Sequence, residues 1–190
     1  MKTYVVLLRG INVGGKNKIS MAALKLFLEE QGFTEVITYI QSGNVILQST
    51  LDARKLTQKI EKGLPSAFKL DSPLIKVLAL TTEQLQRIVN NRPKGFGEQP
   101  TRYHSDAIFL IGIDSAHAIS VFDPREGVDN VWPGPGVIYS QRLSANRTKS
   151  RLNKIMGTPL YQSMTIRSWK TTTKLGAMLE EIDAPDRRRP

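Results

Sequence analysis

Two short β-rich runs, Glu35–Ile40 and Asn44–Gln48, are separated only by Gln41-Ser42-Gly43, and no other feature constrains this chain as much. So short a connection joins antiparallel neighbours, because a parallel pair needs a crossover of a dozen residues or more. Gly43 supplies the positive φ that hairpin turns of this kind demand. The hairpin therefore argues against a doubly wound parallel sheet.

The remaining periodicities fit around it. Thr3–Leu8 reads as a buried strand that stops at Gly10, and Ile11–Ile19 as a loop holding Gly14, Gly15 and two asparagines. Ser20 is placed to cap a helix whose stripe is Met21, Leu24, Phe27 and Leu28, with Gly32 as its stop. Asp52 opens a second helix with Leu56, Ile60 and Leu64 in its stripe, and Pro73–Leu80 is another aliphatic strand. The order β-α-β-β-α-β is that of a ferredoxin-like unit. A capping box, Thr81-x-x-Gln84, starts an extra helix through Val89. Residues 92–105, rich in Pro and Gly, read as a linker. Beyond them the same order repeats without repetition of residues: strand Ala107–Gly112, helix Ser115–Phe122, strands near Val128–Trp132 and Val137–Leu143, helix Thr148–Met156, and a last helix from about Trp169 to Ile182. The expected architecture is α+β, two ferredoxin-like (βαββαβ-type) halves with extra helices, over 1–92 and 104–184, followed by a basic tail, 185–190.

Charge adds a functional constraint. The formal net charge is +10. Residues 1–28 carry five basic side chains and no acid, and residues 130–179 carry eight and no acid. The rest of the chain is slightly acidic. Charge used only for solubility mixes both signs over the surface; segregation of this kind favours an anionic partner. The chain has no Cys, which excludes disulfides and thiolate chemistry. The apolar stretch Tyr4–Leu8 is too short for a signal-peptide core, which needs about 7–15 apolar residues. Nothing approaches the ~18 apolar residues of a membrane span. The expected setting is cytoplasmic, with no membrane partner.

Topology converts two separated motifs into one surface. In a βαββαβ unit the first two strands finish at the same end of the sheet, so the loop after strand one lies beside the hairpin. The loop offers Arg9, Asn12, Gly14, Gly15, Lys16 and Lys18, with a helix N-terminus downstream that favours a nearby anion by about 0.3–1 kcal/mol. The hairpin offers Gln41, Ser42, Gly43 and Asn44, whose amides and hydroxyl suit orientation of a ligand. Gly and Asn also serve turns for conformational reasons alone. Gly10 to Lys16 fits the start of a P-loop, but Asn17 stands where a hydroxyl should hold Mg²⁺, and the hairpin contradicts the parallel sheet such a loop requires. A second candidate, Arg167 to Lys174, sets Arg167, Trp169 and Lys174 at a helix start. Trp169 there either stacks on a base or anchors the helix in the core, the commoner use. The run Arg142, Arg147, Lys149, Arg151 and Lys154 suits phosphate contacts without matching a nucleic-acid motif.

Acid–base chemistry is less visible. His104 and His117 are the only histidines, with no Glu or His at metal spacing, and read as surface or structural residues. No G-x-S-x-G elbow occurs, and the candidate loops hold no carboxylate pair. Sites made of Lys, Arg and amides bind more readily than they catalyse.

The motifs Arg9-Gly10-Ile11-Asn12-Val13-Gly14-Gly15 and Tyr39-Ile40-Gln41-Ser42-Gly43-Asn44-Val45, with Met21 opening the helix between them, resemble the signature of the bacterial domain of unknown function 1697 family. Lys149-Ser150-Arg151-Leu152, Thr165-Ile166-Arg167-Ser168-Trp169 and Thr173-Lys174-Leu175 are similar to that family's C-terminal motifs, with Ser168 where Asn is usual. The resemblance implies two ferredoxin-like halves, no cofactor and no established activity. The residues themselves favour a protein binding an anionic small molecule or nucleic acid. Two alternatives stand beside that reading: an enzyme on a small anionic metabolite with Lys16 in a closed pocket, or a structural or oligomeric protein. Neither ligand identity nor oligomeric state is readable.

Overall fold

The aliphatic opening of the chain becomes β1 (Lys2–Arg9), the strand around which the first sheet is built. In this computed structural model, which describes residues 1–72 and 75–183, β1 pairs antiparallel with both β3 (Asn44–Ser49) and β4 (Lys76–Thr81). β2 (Thr34–Tyr39) pairs antiparallel with β3, so the order is β2-β3-β1-β4. Helix α1 (Met21–Glu30) starts where the Ser20 hydroxyl accepts from the Ala23 N–H, and α2 (Ala53–Ala67) where the Asp52 carboxylate accepts from the Lys55 N–H. Both expected stripes are buried: Leu24, Phe27 and Leu28, then Leu56, Ile60 and Leu64, join Tyr4, Val6 and Leu8 in one core. Alternation along a strand sends Val5 and Leu7 to the opposite face, and these are buried as well. The strand β1 is thus buried on both sides, which is why it reads as a continuous apolar run rather than an alternating one.

The capping box forms as expected. The Gln84 N–H donates to Thr81 Oγ1 and the Thr81 N–H to Gln84 Oε1, opening α3 (Thr82–Asn90). A second antiparallel sheet follows, from β5 (Tyr103–Leu110), β6 (Asp129–Gly134), β7 (Val137–Leu143) and β8 (Met164–Ser168), in the order β6-β7-β5-β8. Helix α4 is only Ser115–Ile119, ending short of the expected Phe122 with Pro124 two residues beyond. One face buries Ile108, Leu110, Ile138 and Met164 with Ala118 and Ile155. Helix α5 (Trp169–Asp183) closes the described chain.

Two expectations are corrected. The segment read as a helix over Thr148–Met156 forms 3₁₀ turns at Ser144–Lys149 and Leu152–Gly157, with a third at Pro159–Ser163. Ser150 is extended and breaks the run, and Leu152 and Ile155, three apart, match the three-residue turn that places both on the core side. The strand placed at Pro73–Leu80 is Lys76–Thr81; Pro73 and Leu74 lie outside the described residues, as does the tail 185–190. The chain forms two compact units, Met1–Leu85 with the segment from Gly176, and Gln86–Leu175. Phe96 shows why 92–105 belongs to the second unit, since it is fully buried with its ring 5.2 Å from Tyr139 and 5.0 Å from Trp169.

Candidate functional site

β1 and β2 are both antiparallel to β3, so Arg9 and Tyr39 leave the first sheet at the same end, where β4 enters with Lys76 opposite Arg9. The loop after β1 turns back at Val13-Gly14-Gly15-Lys16, closed by the Lys16 N–H donating to the Val13 carbonyl. Gly14 and Gly15 have φ of +59° and +77°, the paired positive values of a type I′ turn. A Cβ added at either meets nothing within 4 Å, so conformation rather than space demands glycine here.

Two asparagines at positive φ fix this loop to its neighbours. Asn12 Nδ2 donates to the carbonyls of Ile19 (2.8 Å) and Gln41 (2.9 Å), and its Oδ1 accepts from the Ile19 N–H. Loop and hairpin are therefore stitched by one side chain. Asn17 is buried. Its Nδ2 donates to the Gly10 and Ser72 carbonyls, its Oδ1 accepts from the Asp71 and Ser72 N–H groups, and its own N–H donates to the Asp71 carboxylate. Asn17 thus fills a structural place where a P-loop would hold a metal-binding hydroxyl. Asn44 closes the hairpin internally, donating to the Tyr39 carbonyl and Ser42 Oγ. Gly43 (φ +71°) is a close-approach glycine: an added Cβ would lie 2.8 Å from Ile11 Cδ1 and 3.0 Å from Leu8 Cβ.

Of the ten residues expected on this edge, Asn12, Gly43, Asn44 and Ser42 are thus engaged in holding it together. Lys16, Lys18 and Gln41 remain exposed, and Lys16 and Lys18 have no carboxylate partner among the described residues. Gly14 and Gly15 are exposed too, and among the described residues their N–H groups donate to no protein acceptor. Two carboxylates reach these loops and strand ends, Asp71 accepting from the Asn17 N–H and Glu61 from the Val77 N–H. Lys16 stands on the exposed tip of a turn, not in the closed pocket an enzymatic lysine would need.

The second basic block is different. Its sequence holds no acid, yet carboxylates from elsewhere reach it: Arg142 lies 3.1 Å from Asp106, and Arg151 and Lys154 lie 3.2 and 3.0 Å from Asp123. The Lys154 hydrogen bond, aided by the charges of Arg151 and Lys154, holds the Asp123 carboxyl below the usual carboxylate range. Asp123→Asn should release two cations, and the variant is expected to elute later than the parent from a heparin column at low salt; equal elution would show these cations are not accessible to a polyanion. Trp169 is buried among Phe96 and Tyr139, so it serves as a core anchor rather than a stacking platform. Arg167 is buried in β8, with Nη1 donating to Thr165 Oγ1 and the Ile166 carbonyl, and burial pushes its guanidinium down to about 10. Lys174 is exposed on α5. These three residues belong to the second unit.

Sequence reasoning missed one constellation. His104 Nε2 stands 3.2 Å from Asp106 Oδ1, and Arg142 holds the other carboxylate oxygen. The signal was present: two residues apart on a strand place both side chains on one face.

The family model for a protein of unknown function (DUF1697) matches residues 1–139. The chain belongs to this family. The match takes in the Arg9–Gly15 and Tyr39–Val45 motifs and ends before the segments at 149–175. Among solved structures, the conserved bacterial protein SP0830 from Streptococcus pneumoniae is similar to this DUF1697 chain at 28% identity and a TM-score of 0.78, over 95% of this chain and 99% of that one. No curated protein matches it. Among the described residues no helix is long and apolar enough to cross a membrane.

Proposed function

We propose that this DUF1697 protein binds a phosphorylated ligand, a nucleotide or nucleic acid, at the end of its first sheet. The observation that carries the reading is the Asn12 side chain, which joins the Gly14-Gly15 turn to the Gln41–Asn44 hairpin beside the exposed Lys16 and Lys18, neither of which has a carboxylate partner among the described residues. Lys16 and Lys18 supply charge with Arg9, Gly14 and Gly15 present backbone N–H groups, and the Gln41 side chain orients the ligand. Arg167, Trp169 and Lys174 have no part in this reading. We also read both units as ferredoxin-like halves, supported by the matching strand orders β2-β3-β1-β4 and β6-β7-β5-β8. A cytoplasmic setting, where such ligands abound, belongs to the same reading.

The test is a thermal-shift screen of nucleotides, phosphosugars and short oligonucleotides at low and high salt. Stabilisation is expected at low salt and should disappear in a Lys16→Ala, Lys18→Ala double variant. For single-stranded nucleic acid, log K should fall with log salt, with a slope smaller by about 0.7 for each lysine removed. Gln41→Ala should leave the melting temperature unchanged, since only its carbonyl is bonded to Asn12. No shift with any of these ligands at low salt would sink the proposal.

A further inference from the structure

Two apolar side chains stand exposed beside the Asn12 stitch. Val13 is 68% exposed and Ile40 50%. Asn12 Nδ2 donates to the Gln41 carbonyl at 2.9 Å, so Val13 follows one end of that bond along the chain and Ile40 precedes the other. Val13 also bridges Lys16 in antiparallel register. Residues directly opposite across such a pair share one side of the ribbon, with Cβ atoms about 4.5–5.5 Å apart. An apolar group and a cation without a carboxylate partner among the described residues therefore leave this loop together.

Apolar residues scattered singly over a surface need no account, but Ile40 does. Its φ is +47°, in a region where a β-branched residue is a genuine outlier. Asparagine enters that region readily, as Asn12 and Asn17 do here at +54° and +46°. Half-exposed, Ile40 regains little of the strain by burial. A strained and exposed branched side chain beside a binding loop is a feature that a bound ligand accounts for better than the free loop does. That ligand must join an anionic end, for the lysines and the Gly14-Gly15 turn, to an apolar flank. The exposed Gln41 next to Ile40 adds a carboxamide, both donor and acceptor, which matches the edge of a base. A phosphosugar offers no apolar face, an acyl chain no edge for an amide, and a duplex no free base face. The charge of about −2 on a single terminal phosphate matches Lys16 and Lys18.

We propose that Val13 and Ile40 are the specificity-determining residues of this edge, packing against the base of a nucleoside monophosphate whose phosphate meets Lys16, Lys18 and the Gly14-Gly15 turn. The inference rests on the phosphate-binding reading above and narrows it from phosphorylated ligands at large to single nucleotides. Covering the two side chains removes apolar surface of both protein and base from water, a gain that the sugar phosphate alone does not make.

The full chain is titrated calorimetrically at low salt with adenosine 5′-monophosphate and with ribose 5-phosphate, which lacks only the base. The nucleotide should bind at least about fivefold more tightly, and Val13→Ser and Ile40→Asn should each remove most of that preference. Ile40→Asn should at the same time raise the melting temperature, because asparagine relieves the positive-φ strain. Binding that falls while stability rises separates a ligand contact from a merely structural role. Equal affinities for the two ligands, or a preference indifferent to both substitutions, would overturn this inference and leave the phosphate site standing; binding of neither ligand would remove both. A dimer that Ile40→Asn dissociates would give the patch to a second copy of the chain and overturn the inference as well. Should Ile40→Asn fold poorly, strain is not what position 40 stores, and Val13→Ser, at an exposed turn, decides whether the base is met there.

Discussion

Trp169→Ala is expected to lower the unfolding free energy by about 3–5 kcal/mol, the range for truncating a large buried aromatic residue. The indole lies edge-on to Phe96 at 5.0 Å and to Tyr139 at 6.2 Å, and the Phe96 ring in turn meets Trp132 at 6.0 Å. Gly97 leaves it no slack: a Cβ there would come within 2.2 Å of Trp169 Cδ1, at a φ of +76° that disfavours any side chain. The cavity left by Trp169→Ala should also show in Tyr139, whose hydroxyl donates to the Ile88 carbonyl. Burial pushes that phenol up to about 12, the nearby charge of Arg92 acting in the opposite direction. A folded pKa above the unfolded one contributes stability that is complete below pH ~10 and lost as pH rises from there to about 12. In the Trp169 variant, tyrosinate absorbance should therefore appear nearer pH 10, and urea unfolding should give the stability loss directly. A variant that melts like the parent while losing oligonucleotide binding would place the indole at a ligand surface instead.

How much of this was legible follows from what each residue answers to. The strand and helix positions answered to periodicity and caps, both local, so Ser20, Asp52 and the Thr81–Gln84 box all appear where their side-chain chemistry puts them. The common end of β1 and β2 was legible because the hairpin fixes strand direction. The 3₁₀ segment was not, because Leu152 and Ile155 sit three apart, a spacing that an α-helix and a 3₁₀ turn share. The second basic block misled for a related reason. Asp106 and Asp123 lie outside 130–179 in the chain and beside its cations in space, so a count along the sequence overstates the local charge. The asparagines were read by type as ligand-facing amides, whereas Asn12 and Asn44 spend their amides on backbone carbonyls and Ser42. Which partner an amide finds is a tertiary fact, and a turn-rich segment gives no advance sign of it.

Asn17→Ala is the second large effect, expected at about 2–4 kcal/mol. Two components set the size. The side chain makes four hydrogen bonds, to the Gly10 and Ser72 carbonyls and from the Asp71 and Ser72 N–H groups; alanine leaves those backbone groups without their partner in a buried place. The residue also sits at φ +46°, a conformation that Asn tolerates and alanine adopts only at a cost of about 1–2 kcal/mol. Asn17→Asp should recover less than its shape suggests, because it cannot donate to Gly10 and it adds a carboxylate beside Asp71. Lys16 and Lys18 flank this position, so loosening it should also scatter the cations and weaken the low-salt ligand shift. Stability and binding are therefore expected to fall together in Asn17→Ala, whereas the Lys16, Lys18 double variant should lose binding alone. A variant at Asn17 that binds less yet unfolds at the parental urea concentration would mean the amide meets the ligand itself, and the loop would then need another anchor.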